Sequence, residues 1–308
     1  MTPTHRLQCI AGNLTLRAAV LRTLRDFFQE QEFLEVETPL RVPAPIPEAA
    51  IEPQPSGTWV LLPSPEVCMK PLLAAGFAKI FQICRSFRQG ERGHRHLPEA
   101  TLLEWYATGW QYTDLMDQCE ALFRHLADRL IGGGRPLVYQ GQTVAFHGPW
   151  QRLTVADAFA RFGSMDVGNA LRSGRFDEIM GLEIEPQLGF GRPTFLMDYP
   201  IEKASLARPG RDNPRVAERF ELYIAGLELC NGFSELTDAL EQRQRFEKEQ
   251  QLRRSAGLPV YPLPERFLAA LADMPPAAGN ALGVDRLVML LADAPAIDDV
   301  VAYTPETL

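Results

Sequence analysis

Residues 81–106, FQICRSFRQGERGHRHLPEATLLEWY, join two apolar alternating runs through a connection that carries Arg88, Glu91, Arg92, His94, Arg95, His96 and Glu99. Alternation in FQICRSFR sends Arg85 to the face opposite Ser86 and Arg88. An arginine at the end of a strand, beside a turn rich in donors, suits a phosphate or carboxylate whose paired oxygens match the guanidinium fork. The same string also reads as a solvated charged loop. Glu104 favours chemistry, because a carboxylate between Leu103 and Trp105 in a half-buried sheet is costly without a cation or hydrogen-bond donors.

Two further patterns point the same way. In FELYIAGLELCNGFSE, Glu221, Glu228 and Glu235 fall seven residues apart, and a turn at Ala225-Gly226 lets Glu221 and Glu228 converge. Carboxylates that share a point call for a cation, and Mg²⁺ brought by a nucleotide is one that takes few protein ligands. In GNALGVDRLVML, Gly279 and Gly283 allow a ligand close to the backbone, and Arg286 adds charge where a helix start already favours an anion. Taken singly, these are also an acidic strand face and an Asp–Arg pair closing a helix end. No GxxxxGK[ST] occurs, so an ATP site here would be built from side chains.

The elements that must hold these residues are readable from periodicity. Leu14, Ala18, Leu21, Leu24, Phe27 and Phe28 recur at helical spacing over 14–31, with Asn13 as N-cap, and FLEVETP (33–39) alternates as a strand. A Pro-rich connector follows. Residues 59–76 read as strand, turn and helix, with Ser64 capping and Pro65 at the first helical position. The segment 113–131 is a strongly amphipathic helix, and 135–200 is expected as a less regular insertion apart from the catalytic machinery. Residues 215–233 form a hairpin and 237–257 a charged helix stopped by glycine; 264–274 is a further helix, and 278–293 passes from strand to apolar helix. The predicted architecture is α+β, an antiparallel sheet flanked by helices, in a single domain over 1–308.

Composition bounds the rest. The 308 residues carry 39 acidic and 31 basic side chains, a net charge of -8, which disfavours a polyanion-binding surface. Five scattered cysteines without a CxxC predict reduced thiols rather than zinc or disulfides. No signal peptide and no run of about 18 apolar residues is present, so a cytoplasmic protein is expected, with no membrane partner.

In combination and order these segments resemble the catalytic core of class II aminoacyl-tRNA synthetases: 17–39 looks like motif 1, 81–106 like motif 2 and 279–286 like motif 3. SPEVCMKPLL, FQICRSFR, LEWY and ELCNGFSELTDALEQRQRF are similar to the lysyl branch. Motif 1 begins near Leu14, so no anticodon-binding domain is expected ahead of it, and Ala281 stands where lysyl-tRNA synthetases usually have glycine. Both features resemble the elongation factor P lysine ligase family.

That resemblance implies ATP and Mg²⁺, a homodimer, lysine or (R)-β-lysine as substrate, and elongation factor P rather than tRNA as acceptor. Arg88 and Arg286 would be the catalytic arginines. ATP would meet Arg88, Gln89, Gly90, Glu91, His96 and Leu97 from motif 2, and Glu228, Leu229, Gly283 and Arg286 from the later motifs. The amino acid would be held by Ser64, Pro65 and Glu66, by Glu104 and Tyr106, and by Asn231, Phe233 and Glu235, with Glu221 and Glu228 binding Mg²⁺. The chain departs from the family where RNE is replaced by Arg88-Gln89-Gly90 and HNPEF by HLPEA. Loss of an adenine-stacking phenylalanine at Ala100 removes about 0.5–1.5 kcal/mol. The alternatives are a synthetase-like lysine or nucleotide binder without turnover, and a truncated ligase that charges tRNA.

Overall fold

A computed structural model describes residues 3–308. The chain begins with helices α1 (Pro3–Cys9) and α2 (Ala11–Glu30), then strands β1 (Leu34–Glu35), β2 (Arg41–Val42), β3 (Gln54–Ser56) and β4 (Trp59–Leu61). Helix α3 (Glu66–Ala74) leads to the hairpin β5 (Lys79–Phe87) and β6 (Glu99–Thr108). Next come helix α4 (Tyr112–Ala127), the short hairpin β7 (Leu137–Tyr139) and β8 (Gln142–Val144), and strand β9 (Gln151–Thr154). Helices α5 (Val155–Phe162), α6 (Val167–Arg172) and α7 (Phe176–Ile179) precede strand β10 (Thr194–Pro200) and the hairpin β11 (Val216–Ile224) and β12 (Leu227–Ser234). Helices α8 (Ala239–Ser255) and α9 (Glu265–Leu271), strand β13 (Ala277–Gly283) and helix α10 (Val284–Leu291) follow.

Eight strands form one sheet in the order β1-β5-β6-β13-β12-β11-β10-β9. The inner strands are antiparallel, as the hairpins dictate, but β1 pairs with β5 and β9 with β10 in parallel. The sheet is therefore mixed rather than purely antiparallel. Its edges differ because each edge strand is followed by a helical crossover, which brings the chain back in the same direction.

Strand alternation divides the molecule into a core and a site. On β6, Leu103, Trp105 and Ala107 are buried in the main hydrophobic cluster with Phe28, Phe81 and the apolar stripe of α4, while Glu104 and Tyr106 face the other way. The Phe28 and Phe81 rings stack at 5.0 Å. On β13, Ala278 and Leu282 enter the same core, and Asn280 donates to Cys119 Sγ of α4 at 3.0 Å. Gly279, Ala281 and Gly283 are left on the cavity side.

Helices α2 and α10 are tied to β6 by one buried acid. Asp285 accepts the backbone N–H of Thr101 at 2.6 Å and pairs with Arg17 at 2.6 Å, and Arg17 also donates to Thr101 Oγ1 at 2.7 Å.

Three local expectations change. Asn13 is not an N-cap: α2 starts at Ala11 directly after α1, and the Asn13 amide instead donates to the Asp299 carbonyl at 3.0 Å. The ladder of 33–39 shrinks to two residues, extended only by Val36 N–H to the Phe81 carbonyl before Pro39 ends it. Finally, 135–200 is not set apart. Its helices α5 to α7 build a small core on Leu196, Tyr199 and Tyr223, and its strands β9 and β10 belong to the central sheet. Among the described residues no helix is long and apolar enough to cross a membrane, and all five cysteines are free.

Candidate active site

A cavity of about 390 Å³ lies on the sheet face shared by Glu104, Tyr106 and the odd residues of β13. One end is acidic. Pro65 ends the turn before α3, which leaves the Ser64 hydroxyl to accept from Glu66 N–H at 3.1 Å and donate to Glu104 Oε1 at 2.7 Å. Tyr106 donates to Glu104 Oε2 at 2.8 Å, so both Glu104 oxygens are engaged although the residue is 2% exposed. Burial, with Glu66 nearby, raises the Glu104 carboxyl to about 7.

Beneath this pair lies Lys70, one helical turn beyond Glu66 and equally buried. Its ammonium pairs with Glu66 and, at 2.5 Å, with Glu235 Oε2, and it sits 5.1 Å from the centre of the Phe233 ring. Burial opposes the Lys70 charge, but Glu235 and Glu66 outweigh it and hold the ammonium above its ordinary range. Glu235 is raised to about 8 by burial, Lys70 offsetting part of this, and its Oε1 is buried without a hydrogen-bond partner. Three carboxylates thus face a single ammonium, which leaves the pocket fitted for further positive charge.

Gly279 lies between Tyr106 and Phe233 in the sheet register. A Cβ there would run into the Tyr106 ring and Glu235 Oε1, so only glycine leaves these two groups in place.

The opposite end is basic. Arg286, in the first turn of α10, donates to the Glu228 carbonyl at 2.9 Å and to Glu228 Oε2 at 3.0 Å. Its other nitrogens reach the Arg95 carbonyl at 3.2 Å and His96 Nε2 at 2.5 Å. Burial and Arg286 together lower the His96 pKa, so the neutral ring accepts at Nε2. Arg88 is half-buried and lightly held, 3.6 Å from Glu91 and 3.5 Å from the Pro63 carbonyl, which leaves its fork free for a ligand.

The structure brings most of the expected residues to one wall. Ser64, Glu66, Glu104, Tyr106, Asn231 and Phe233 line the acidic end. Arg88, Glu91, His96 and Leu97, with Glu228, Leu229, Gly283 and Arg286, line the rest. Pro65 and Glu235 are buried and do not line it. Gln89 and Gly90 fall outside the wall: Gln89 N–H is tied to the Glu52 carbonyl at 2.7 Å, and the chain turns outward at Gly90 with φ +80°. Glu91 occupies the wall in their place. Ala100 and Leu97 line the cavity beside Ile297, so this stretch is aliphatic where the resemblance implied an aromatic ring.

Glu221 also differs from expectation. Instead of lining the cavity, it accepts Arg219 at 2.6 Å on Oε1 and the Tyr199 and Tyr223 hydroxyls at 2.6 and 2.7 Å on Oε2. Its Oε1, with Arg219 as the one donor, keeps a second lone pair. Glu228 keeps Oε1 free on the wall and fits a Mg²⁺ ion shared with phosphate oxygens, which needs only one or two carboxylates. Among the described residues no group of three or more His, Cys, Asp or Glu is placed to hold a metal by itself.

Sequence reasoning missed four residues here. Lys70 reads as an ordinary i,i+4 partner of Glu66 on a helix. Arg219 follows strand alternation from Glu221, and its guanidinium lies 4.4 Å from the Tyr199 ring centre. Glu185, in the 135–200 segment, is raised to about 7 by burial and by Glu221 and Glu228. Glu48 sits in a Pro-rich connector with no periodicity to reveal burial.

A family model for class II tRNA synthetases (D, K and N) matches residues 4–307. The chain is 39% identical to an elongation factor P–(R)-β-lysine ligase of Pectobacterium carotovorum, over 96% of this chain and 95% of that protein. A protein of the same name from Salmonella gallinarum is 38% identical over 98% of each chain, and one from Edwardsiella ictaluri is 39% identical over 95% of each.

Proposed function

Because this chain belongs to the class II tRNA synthetase (D, K and N) family and, within it, to the elongation factor P–(R)-β-lysine ligases, we propose that it activates lysine or (R)-β-lysine with ATP. The aminoacyl group then passes to a lysine side chain of elongation factor P. The polarity of the cavity carries this reading: three buried carboxylates around Lys70 and Phe233 at one end, and two arginines positioned for anions at the other.

The substrate's terminal ammonium belongs with Glu104, Tyr106 and Glu235, its stem along Phe233 and Asn231, and its other amino group with Glu66. Ser64 orients Glu104 for this contact. Arg88 takes the substrate carboxylate and the ATP α-phosphate, and aligns the carboxylate oxygen for in-line attack on phosphorus as pyrophosphate leaves. Arg286, fixed by Glu228 and His96, receives charge on the departing phosphates. Mg²⁺ held by Glu228 and the phosphates would neutralise charge there. A homodimer belongs to the same proposal and is read by sedimentation.

Lysine- or β-lysine-dependent exchange of pyrophosphate into ATP is the direct test. Arg286→Ala should lower exchange by about 100-fold or more. Binding of either amino acid by calorimetry without any exchange would make the protein a binder and sink the ligase reading.

A further inference from the structure

One carboxylate on the cavity wall has no partner. Glu66 pairs with Lys70, Glu91 with Arg88, Glu104 with Ser64 and Tyr106, Glu228 with Arg286, and Asp285 with Arg17. Among the described residues the Glu48 carboxylate makes no hydrogen bond and no ion pair, yet its backbone is fixed. The Glu48 carbonyl accepts from Arg253 at 2.8 Å, and Ala49 N–H donates to Glu249 at 2.7 Å.

Glu48 also borders a second cavity of about 290 Å³, which shares Glu48, Ser205 and Leu206 with the first. Its remaining wall combines aliphatic and aromatic surface from Ile201 and Phe246 with the acids Glu202, Glu241 and Glu249. Of its two cations, Arg245 is already paired with Glu241 at 2.5 Å. An acidic, partly apolar pocket suits an ammonium on a methylene stem.

We propose that this second cavity admits the acceptor lysine and that Glu48, where the two cavities meet, takes its proton for the transfer step; this rests on the ligase reading above. An ammonium has no lone pair with which to attack. Loss of one proton to the Glu48 carboxylate frees the nitrogen pair, which forms the C–N bond to the adenylate carbonyl carbon. The carbon–oxygen bond to phosphate then breaks, its electron pair leaves with AMP, and the second ammonium proton passes to water, giving a neutral amide.

The surroundings of Glu48 support the role. Burial raises its carboxyl to about 7, with Glu66 of α3 adding to the rise, Arg88 opposing it, Glu249 of α8 raising and Arg219 of β11 lowering. A base poised near neutrality suits proton transfer at physiological pH.

The test compares wild type with Glu48→Gln in three assays with ATP, Mg²⁺ and lysine or β-lysine: pyrophosphate exchange, hydroxamate formation with hydroxylamine, and modification of elongation factor P. Hydroxylamine is largely neutral near pH 7 and needs no base. Transfer to elongation factor P should fall at least about tenfold further than hydroxamate formation, and its rise with pH through about 7 should flatten. Equal losses in both assays would assign Glu48 to amino-acid binding and overturn the proposal, as would a variant that transfers at the wild-type rate. Wild-type protein without exchange would remove the ligase reading itself, and this inference with it. Glu202→Lys, on the second cavity, should raise the KM for elongation factor P severalfold more than the KM for lysine; an unaltered ratio would overturn the route.

Discussion

Lys70 shows how much one buried residue can decide. It neutralises two acids that would otherwise repel each other in a low-dielectric pocket, so removing only the cation strands both charges. Lys70→Met is expected to cost about 3–5 kcal/mol in urea unfolding, and adding Glu235→Leu should recover part of that loss because the second charge leaves with the first. Gly279→Ala acts by volume: the new methyl must displace Tyr106 or Glu235, which costs about 1–3 kcal/mol and should remove most lysine-dependent exchange. If the alanine variant binds lysine normally in calorimetry, Gly279 does not shape the pocket. Glu104 was legible because an acid flanked by Leu103 and Trp105 breaks an apolar alternation. Lys70 was not, because burial of a helical lysine depends on what packs over it from α9 and β12.

At the level of elements, the hairpin β5–β6 carries the core on one face and the site on the other, so the strand register positions the chemistry. Asp285 locks that register to α2 and α10. Asp285→Asn leaves the half-buried Arg17 without its counter-charge and is expected to cost about 3 kcal/mol, with exchange falling because Arg286 is the next residue on the same turn. A stability loss without any change in exchange would separate the brace from the site. The long hairpins and amphipathic helices were readable, since each supplies several turns or pairs of periodic signal. Strands β1 and β9 were not, because two and four residues carry too little pattern and their pairing is decided by crossovers distant in sequence. Asn13 misled for a related reason: its side chain answers to Asp299, almost the whole chain away.

For the whole molecule, the buried and half-buried acids make stability depend on pH. Glu48, Glu104 and Glu185 are raised to about 7 and Glu235 to about 8, chiefly by burial, against about 4.3 for an unfolded glutamate. Folded pKa values above the unfolded ones mean that this stability is complete below about pH 4 and is lost as pH rises through 7 to 8. The ligand-free Tm should therefore decline between pH 5 and 8, by about 2 °C or more, and lysine should restore more of it at pH 8 than at pH 6 because its ammonium favours the charged carboxylates. A flat profile would show that these acids already share their charge with water. The family and its three motifs could be read from the chain, but the second cavity could not, because it arises only where the Pro-rich connector, the turn after β10 and α8 meet. The terse edges of the sheet bear on handling. With only two residues on one side and four on the other, little bare ladder is offered to a neighbouring molecule, and Glu35 on β1 adds charge paired to Arg25 at 2.9 Å. Concentrated solutions should accordingly stay clear and free of fibrils until heating opens the long inner strands.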